Sequence, residues 1–174
     1  MKKHILVIGF LLLAVLIQAQ NVQVVSVPKY QASSIYYFTR LINWPNAAST
    51  GEFTIAVIGN EEVSQELSAL AAGKTVGAQT IKVKSFKKIE DIDGYNNIVF
   101  LSGTMGVPIK KLAQKVDGQK TLLITECEGL LNWGSAINFV ERGGFWKFEV
   151  NKTNILTKGL QVSSQLEKMA INVI

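Results

Sequence analysis

The sequence predicts an α/β fold: one domain with a mainly parallel sheet flanked by helices, followed by a C-terminal antiparallel hairpin. Short apolar runs typical of buried strands alternate with stretches in which apolar residues recur at helical spacing. Strands interleaved with helices are typical of βαβ units, which form parallel sheets. The last third departs from this alternation, because two strand-like runs flank the pair Gly143-Gly144 there.

The first predicted helix begins near Pro28 and ends before Trp44-Pro45. Proline is favoured in the first turn of a helix, whereas the residue before a proline is pushed out of the α region. Apolar side chains at helical spacing form the expected core face of this helix: Ile35, Phe38, Leu41 and Ile42.

A strand, a helix and a second strand are expected next. The run Phe53–Ile58 is apolar and branched, and Gly59 closes it. The helix that follows is predicted to end at Gly73. The apolar face of this helix is predicted to consist of Val63, Leu67, Leu70 and Ala71. The next strand is predicted at Ile81–Phe86, where apolar and polar residues alternate as in a half-exposed strand.

The middle of the chain continues this pattern. Ile98–Leu101 and Thr121–Thr125 are predicted to be buried strands, and Pro108 opens the helix between them. The expected buried face of that helix consists of Ile109, Leu112, Ala113 and Val116.

The C-terminal hairpin is predicted from the strands Ala136–Val140 and Phe145–Val150, with the intervening glycines supplying positive φ. Alternation assigns one face of the second strand to the core and the other face to the outside. The core face carries Trp146, Phe148 and Val150, and the outer face carries Phe145, Lys147 and Glu149.

Two short helices are expected after the hairpin. Asn151–Lys158 is predicted to be helical and to stop at Gly159. Ser164 and Glu167 match a capping box at the start of the last helix. The apolar residues of that helix are expected to be Leu166, Met169, Ala170 and Val173.

The N-terminus has the features of an export signal. Two lysines precede the 13 residues of Ile5–Ile17, all of which are apolar or glycine, and the small residue Ala19 follows. A helix needs roughly 20 residues to cross a hydrocarbon core, so this run is too short to span it. We predict a signal peptide of residues 1–19, cleaved near Ala19, and a mature periplasmic domain of residues 20–174; the alternative is an uncleaved membrane anchor.

Composition argues against several function classes. Removal of the signal lowers the formal charge from +5 to +3 and removes His4, the single histidine among the 174 residues. The mature chain then lacks the usual base for a serine nucleophile, so we predict no catalytic residues, no metal and no cofactor. The basic residues are dispersed, which does not predict a nucleic-acid interface. Their densest stretch consists of Lys82, Lys84, Lys87 and Lys88.

Cys127 is the single cysteine, so an internal disulfide is excluded. Free cysteine behaves as a small hydrophobic residue, and we expect Cys127 to be buried; an intermolecular bridge is the alternative. Glu126 and Glu128 flank it, and we expect them to be solvated loop acids rather than a catalytic pair.

Two glycine-containing loops follow strands. Gly59 precedes two glutamates, which would repel a phosphate, so it is interpreted as a turn glycine. The segment Ser102–Gly106 precedes a helix and would suit an anion better, although an ordinary connecting loop is the preferred interpretation.

Aromatic residues near the hairpin are the remaining signal for a binding site. Trp133, Phe145 and Trp146 lie near Arg142 in the sequence, and large aromatic side chains with arginine are typical of interfaces. We predict these four residues as a surface for a protein partner or an apolar ligand. Closure of the end of the sheet is the alternative role, above all for Trp146.

Three segments together resemble the periplasmic YfiR-like family: Tyr36–Pro45, Phe53–Gly59 and the block from Ile137 through Phe148-Glu149-Val150-Asn151 to Leu166. The resemblance implies a non-enzymatic α/β protein of the periplasm that binds the sensor domain of a membrane diguanylate cyclase and holds it inactive. Related domains resemble input modules of sensor kinases. The best-known member uses intramolecular cysteine pairs, a pattern from which the lone Cys127 departs.

The hypothesis from the sequence is therefore a periplasmic regulator that binds and represses a membrane signalling protein, a diguanylate cyclase or a sensor kinase. Association of two copies into a homodimer is a further interaction to consider. The alternatives are a small-ligand binding module, with a pocket between the aromatic hairpin end and the Ser102 loop, and an unrecognised hydrolase.

Overall fold

A computed structural model describes residues 25–45, 51–103 and 109–174. The described helices are α1 (Val27–Leu41), α2 (Glu61–Ala71), α3 (Ile109–Lys115), α4 (Lys152–Thr157) and α5 (Ser164–Met169). The described strands are β1 (Ile42–Asn43), β2 (Glu52–Ile58), β3 (Thr75–Val76), β4 (Gln79–Phe86), β5 (Ile98–Leu101), β6 (Leu122–Thr125), β7 (Ile137–Arg142), β8 (Phe145–Val150), β9 (Gln161–Val162) and β10 (Asn172–Val173).

The main sheet has the strand order β10-β8-β7-β6-β5-β2-β4-β3. The strands from β4 through β2, β5 and β6 to β7 are parallel to their neighbours, whereas β7 and β8 form an antiparallel hairpin. β10 runs parallel to β8 at one edge, and β3 runs antiparallel to β4 at the other. The predicted fold, a mainly parallel sheet with helices and a C-terminal antiparallel hairpin, is confirmed.

The first helix starts where the sequence indicates but ends earlier than predicted, because Ile42, expected on its core face, lies in β1 and pairs antiparallel with Val162 of β9. Pro28 lies in its first turn, and Ile42 is extended, with φ −102° and ψ 134°. The indole Nε1 of Trp44 then donates to the carbonyl of Thr39 at 2.9 Å. The Trp44 ring packs edge-on against Phe53 at 4.8 Å between centroids, which fixes the end of the helix against the first long strand.

Side chains on the two faces of the sheet form separate cores. On the α1 face, Phe139 lies 6.0 Å from Tyr30, 6.2 Å from Phe38 and 6.0 Å from Phe100, between ring centroids. The smaller core on the opposite face lies under α3. It includes Ala56, Ile58, Val99, Leu101, Leu112 and Leu123.

The hairpin turn is made by Gly143 and Gly144, with φ of 61° and 78°. Positive φ at both central residues is the requirement of a two-residue type I′ turn, which matches the twist of the strands. The predicted source of the turn is therefore confirmed.

The last helix differs from its prediction at both ends. Its N-cap is Ser163 rather than Ser164, because the Ser163 side chain accepts from the backbone N–H of Leu166 at 3.2 Å. The helix also ends at Met169, and Val173 belongs to β10. The N–H of Ile171 donates to Phe148 O at 3.0 Å, so hydrogen bonding along the edge of β8 replaces another helical turn.

The predicted export signal, residues 1–19, lies outside the described residues, so its cleavage and the mature domain boundary remain predictions. Among the residues that the structure describes, no helix is both long enough and apolar enough to cross a membrane.

Candidate recognition surface

The β7–β8 hairpin extends past the strand beside it. β7 pairs with β6 at Ile137 and Asn138, but it continues to Arg142. Residues 139–142 of β7 therefore continue past Asn138, the last residue that pairs with β6. At about 3.3 Å per residue, these four residues carry the hairpin roughly 13 Å beyond that pair. We call residues Glu141–Trp146 the hairpin tip.

Phe145 is the most exposed large hydrophobic side chain described, with 69% of its surface accessible. It lies directly across from Arg142, and the ammonium of Lys147 is 5.9 Å from the centre of its ring. Trp146 points to the other face of the strand, where it is half-buried against the α1-side core. The predicted alternation of inward and outward residues on β8 therefore holds in the structure.

Arg142 lies between two carboxylates. Its Nη1 contacts Glu128 in the loop after β6, and its Nη2 is 3.6 Å from Glu149 Oε1 on β8. Nη1 also donates to its neighbour's carbonyl, Glu141 O, at 2.9 Å. Exposed ion pairs add little stability, typically about 0–1 kcal/mol. Their main effect here is to orient the guanidinium and to tie the hairpin tip to the preceding loop.

Trp133 lies apart from the hairpin tip. It ends a 3₁₀ turn, Leu130–Trp133, between two glycines of positive φ, and 50% of its surface is exposed. The ammonium of Lys110 on α3 lies 4.0 Å from the centre of its ring. Trp133 comes four positions before Ile137, the first residue of β7. Phe145 pairs with Arg142, the last residue of β7, which lies roughly 17 Å along the strand from Ile137. Arg142 and Phe145 therefore share one face of the hairpin, Trp146 lies on the other face, and Trp133 lies outside the hairpin against α3.

Cys127 is exposed, so the expectation that it is buried is wrong. It lies in the loop that leaves the carboxyl end of β6, where its backbone N–H donates to Asn138 Oδ1 at 3.2 Å. That bond ties the backbone of the loop to β7, while Cys127 itself is exposed.

The two glutamates beside Cys127 have separate partners. Glu126 Oε2 accepts from Gly103 N at 3.1 Å and from Ser102 Oγ at 3.2 Å, whereas Glu128 contacts Arg142. They do not form a carboxylate pair. Within the described ranges, no group of three or more histidine, cysteine or acidic residues could hold a metal ion.

The Ser102 loop gives little support to an anion site. The chain's own Glu126 carboxylate already accepts from the N–H of Gly103. A Cβ at Gly103 would lie 2.2 Å from the Glu126 carbonyl oxygen, so the two backbones approach too closely for any other residue. Thr104, Met105, Gly106 and Pro108, which complete this predicted loop and helix start, lie outside the described residues.

Sequence reasoning did not recognise Glu128 and Glu149 as the partners of Arg142. The outward alternation of β8 put Glu149 on the same face as Phe145, which was a usable signal. Glu128 carried no such signal, because its approach depends on how the loop after β6 folds back.

A comparison with protein-family models, which covers most of the chain, identifies the family of this protein. A family model described as YfiR/HmsC-like (DUF4154) matches residues 28–171. The chain belongs to this family. The YfiR/HmsC-like family is regulatory rather than catalytic, and it is periplasmic. Comparison with curated proteins gives no match.

Two solved structures show the same fold at low sequence identity. One is an ABC domain in complex with L-Trp from Streptococcus pneumonia, with a TM-score of 0.57 and 11% identity over 84% of this chain. The other is a conserved domain protein from Vibrio cholerae O1 biovar eltor str. N16961, with a TM-score of 0.57 and 11% identity over 86% of this chain. The chain spans 60% of the length of each, and the likeness shows the fold alone.

Proposed function

We propose that this protein is a non-enzymatic periplasmic regulator that binds and represses a membrane signalling protein, a diguanylate cyclase or a sensor kinase, through the hairpin tip. Membership of the YfiR/HmsC-like family supports the regulatory role. The observation that carries the choice of surface is the protrusion of the hairpin, which presents Phe145 to solvent beyond the last β6 pair.

The physical properties of the hairpin tip suit protein recognition. Aromatic and arginine side chains contribute a disproportionate share of binding energy at interfaces. Phe145 lies across from Arg142, and the two flanking carboxylates already orient the guanidinium. Little side-chain freedom is then lost on binding, because Arg142 is held in place before the partner arrives.

Trp133 is proposed as a second, separate contact. The Lys110 ammonium lies above the exposed indole ring of Trp133. The surface around Trp133 therefore has both an apolar and a cationic character. A partner that contacts both Trp133 and the hairpin tip must cover the side of the sheet between them. Phe145 and Trp133 are therefore expected to contribute independently to the affinity.

The first experiment identifies the partner. Tagged mature protein, its Phe145→Ala variant and a Leu156→Ala variant are each used to recover membrane proteins from detergent-solubilised envelopes of the native cell. Leu156 is the matched control, because it is 50% exposed but lies on α4, beyond the opposite end of the hairpin. The proposal expects one signalling protein to be recovered with wild type and the Leu156 variant, and at least tenfold less with Phe145→Ala.

Equal recovery by all three proteins would contradict the proposed surface, and recovery of no signalling protein would contradict the proposed function. Sedimentation velocity of the same preparations identifies a homodimer formed through the hairpin tip. In that case Phe145→Ala alone would shift the protein from two copies to one.

A further inference from the structure

A cleft lies at the opposite end of β7 from the hairpin tip. It has a volume of about 320 Å³ and opens between α3 and α4. Its floor is made by small or aliphatic side chains: Ala113, Val116, Leu123 and Ala136. No residue of the proposed partner-binding surface lines this cleft.

The α3 side of the cleft is lined by small residues, and hydrogen bonds fix the position of its α4 side. Gly134, at φ 103°, lies so close to α3 that a Cβ there would be 3.3 Å from the Ala113 Cβ. On the α4 side, Asn154 Nδ2 donates to Leu131 O and to Ser135 O, both at 2.8 Å. The cleft is thus held in shape by the backbone on both sides.

The mouth of the cleft carries an excess of positive charge. Lys158 Nζ lies 3.0 Å from Asp117 Oδ1, and hydrogen bonding by Lys158 holds the pKa of the Asp117 carboxyl below its ordinary value. An adjoining depression of about 410 Å³ shares Asp117, Thr157 and Lys158 with the cleft and adds Lys120. Two cations against one anion leave a net charge of +1 at this end.

The two members of the Lys158–Asp117 ion pair differ in their exposure to solvent. The Lys158 side chain is 21% exposed, whereas the Asp117 side chain is 81% exposed. Lysine is therefore the inner partner and aspartate the solvated outer one. A ligand carboxylate that entered the cleft could replace Asp117 at Lys158, and the displaced aspartate would remain in water at little cost.

We propose that this cleft binds a small monoanion with an aliphatic body, whose carboxylate pairs with Lys158 and whose chain lies on the floor of Ala113, Val116 and Leu123. The described lining residues include no aromatic side chain that could stack on a ring, which favours an aliphatic chain over an aromatic one. This inference does not rest on the proposed partner.

The test is a titration of the mature protein with hexanoate, followed by amide chemical shifts in ¹H–¹⁵N spectra. A ligand of this size is expected to bind with a Kd of about 1 mM. Hexanamide and hexylamine are the matched neutral and cationic probes. The proposal expects shifts confined to the cleft, weaker binding of hexanamide and no binding of hexylamine there.

Three variants decide the role of the ion pair. Lys158→Gln should weaken hexanoate binding at least tenfold, and Asp117→Asn should strengthen it about threefold, because it removes the competing carboxylate. Lys84→Gln is the control, since it breaks a similar exposed pair with Asp93 elsewhere. Melting curves of each variant establish that it is folded.

Absence of hexanoate binding at about ten times the expected Kd would overturn the proposal. Equal affinity of wild type and Lys158→Gln, or weaker binding by Asp117→Asn, would overturn it as well. Binding of all three probes with the same affinity would show a merely apolar cleft without the charge recognition proposed here.

Discussion

The base and the tip of the β7–β8 hairpin have opposite surroundings. At the base, Phe139 and Phe148 are buried under α1, and Phe38 packs edge-on against Phe148 at 5.1 Å between ring centroids. At the tip, Phe145 is mostly exposed, and Arg142 pairs with Glu128 of the preceding loop and with Glu149 of β8. The same two strands therefore anchor the fold at one end and leave an aromatic side chain available to a partner at the other.

The largest expected effect is at the base. Phe139→Ala removes a side chain that contacts aromatic rings from α1 and β5, and it leaves a cavity between them. We expect a loss of about 3–5 kcal/mol in the free energy of unfolding. Urea denaturation followed by circular dichroism measures it. A loss below about 1 kcal/mol would show that the base does not anchor the fold.

Trp146 tests the boundary between base and tip. Its ring is half-buried against the α1-side core, so Trp146→Ala should cost about 2 kcal/mol, less than a fully buried aromatic residue. Partner affinity should fall less than it does for Phe145→Ala. The reverse pattern, an unchanged melting temperature with lost binding, would extend the recognition surface to this face of β8.

The helix above the base, α1, buries two polar side chains, Gln31 and Thr39. Thr39 Oγ1 donates to Tyr36 O at 2.7 Å. Gln31 is fully buried, and neither its Oε1 nor its Nε2 has a hydrogen-bond partner among the residues that the structure describes. A buried polar group without a partner costs about 1–3 kcal/mol. Gln31→Leu should therefore raise the free energy of unfolding by about 1 kcal/mol, measured by the same denaturation. Destabilisation of similar size would show that the amide has a partner in solution.

Most of the fold could be predicted because its elements have strong local signals. Pro28 and Trp44-Pro45 bracket the first helix, and Gly143-Gly144 fixes the hairpin turn. The C-terminus could not be predicted in the same way. Val173 fits a helical face by spacing, yet hydrogen bonds to the edge of β8 place it in a strand, and that competition is decided by tertiary contacts.

The candidate sites were predictable only in part. Period-two alternation correctly turned Phe145 outward, because it depends on neighbouring residues alone. The separation of Trp133 from the hairpin tip depends on a turn between Gly129 and Gly134, whose direction the spacing does not reveal. The cleft was not predicted, because its lining comes from separate segments of the chain that share no motif.

The central claim is that the hairpin tip binds the partner while the base holds the fold. The most direct test measures the affinity of the purified partner's periplasmic domain for wild type and for Phe145→Ala, together with the melting temperature of each. The account predicts a Kd at least tenfold weaker, equivalent to about 1.4 kcal/mol, with an unchanged melting temperature. Wild-type affinity in a folded Phe145→Ala protein would contradict it and place recognition elsewhere on the molecule.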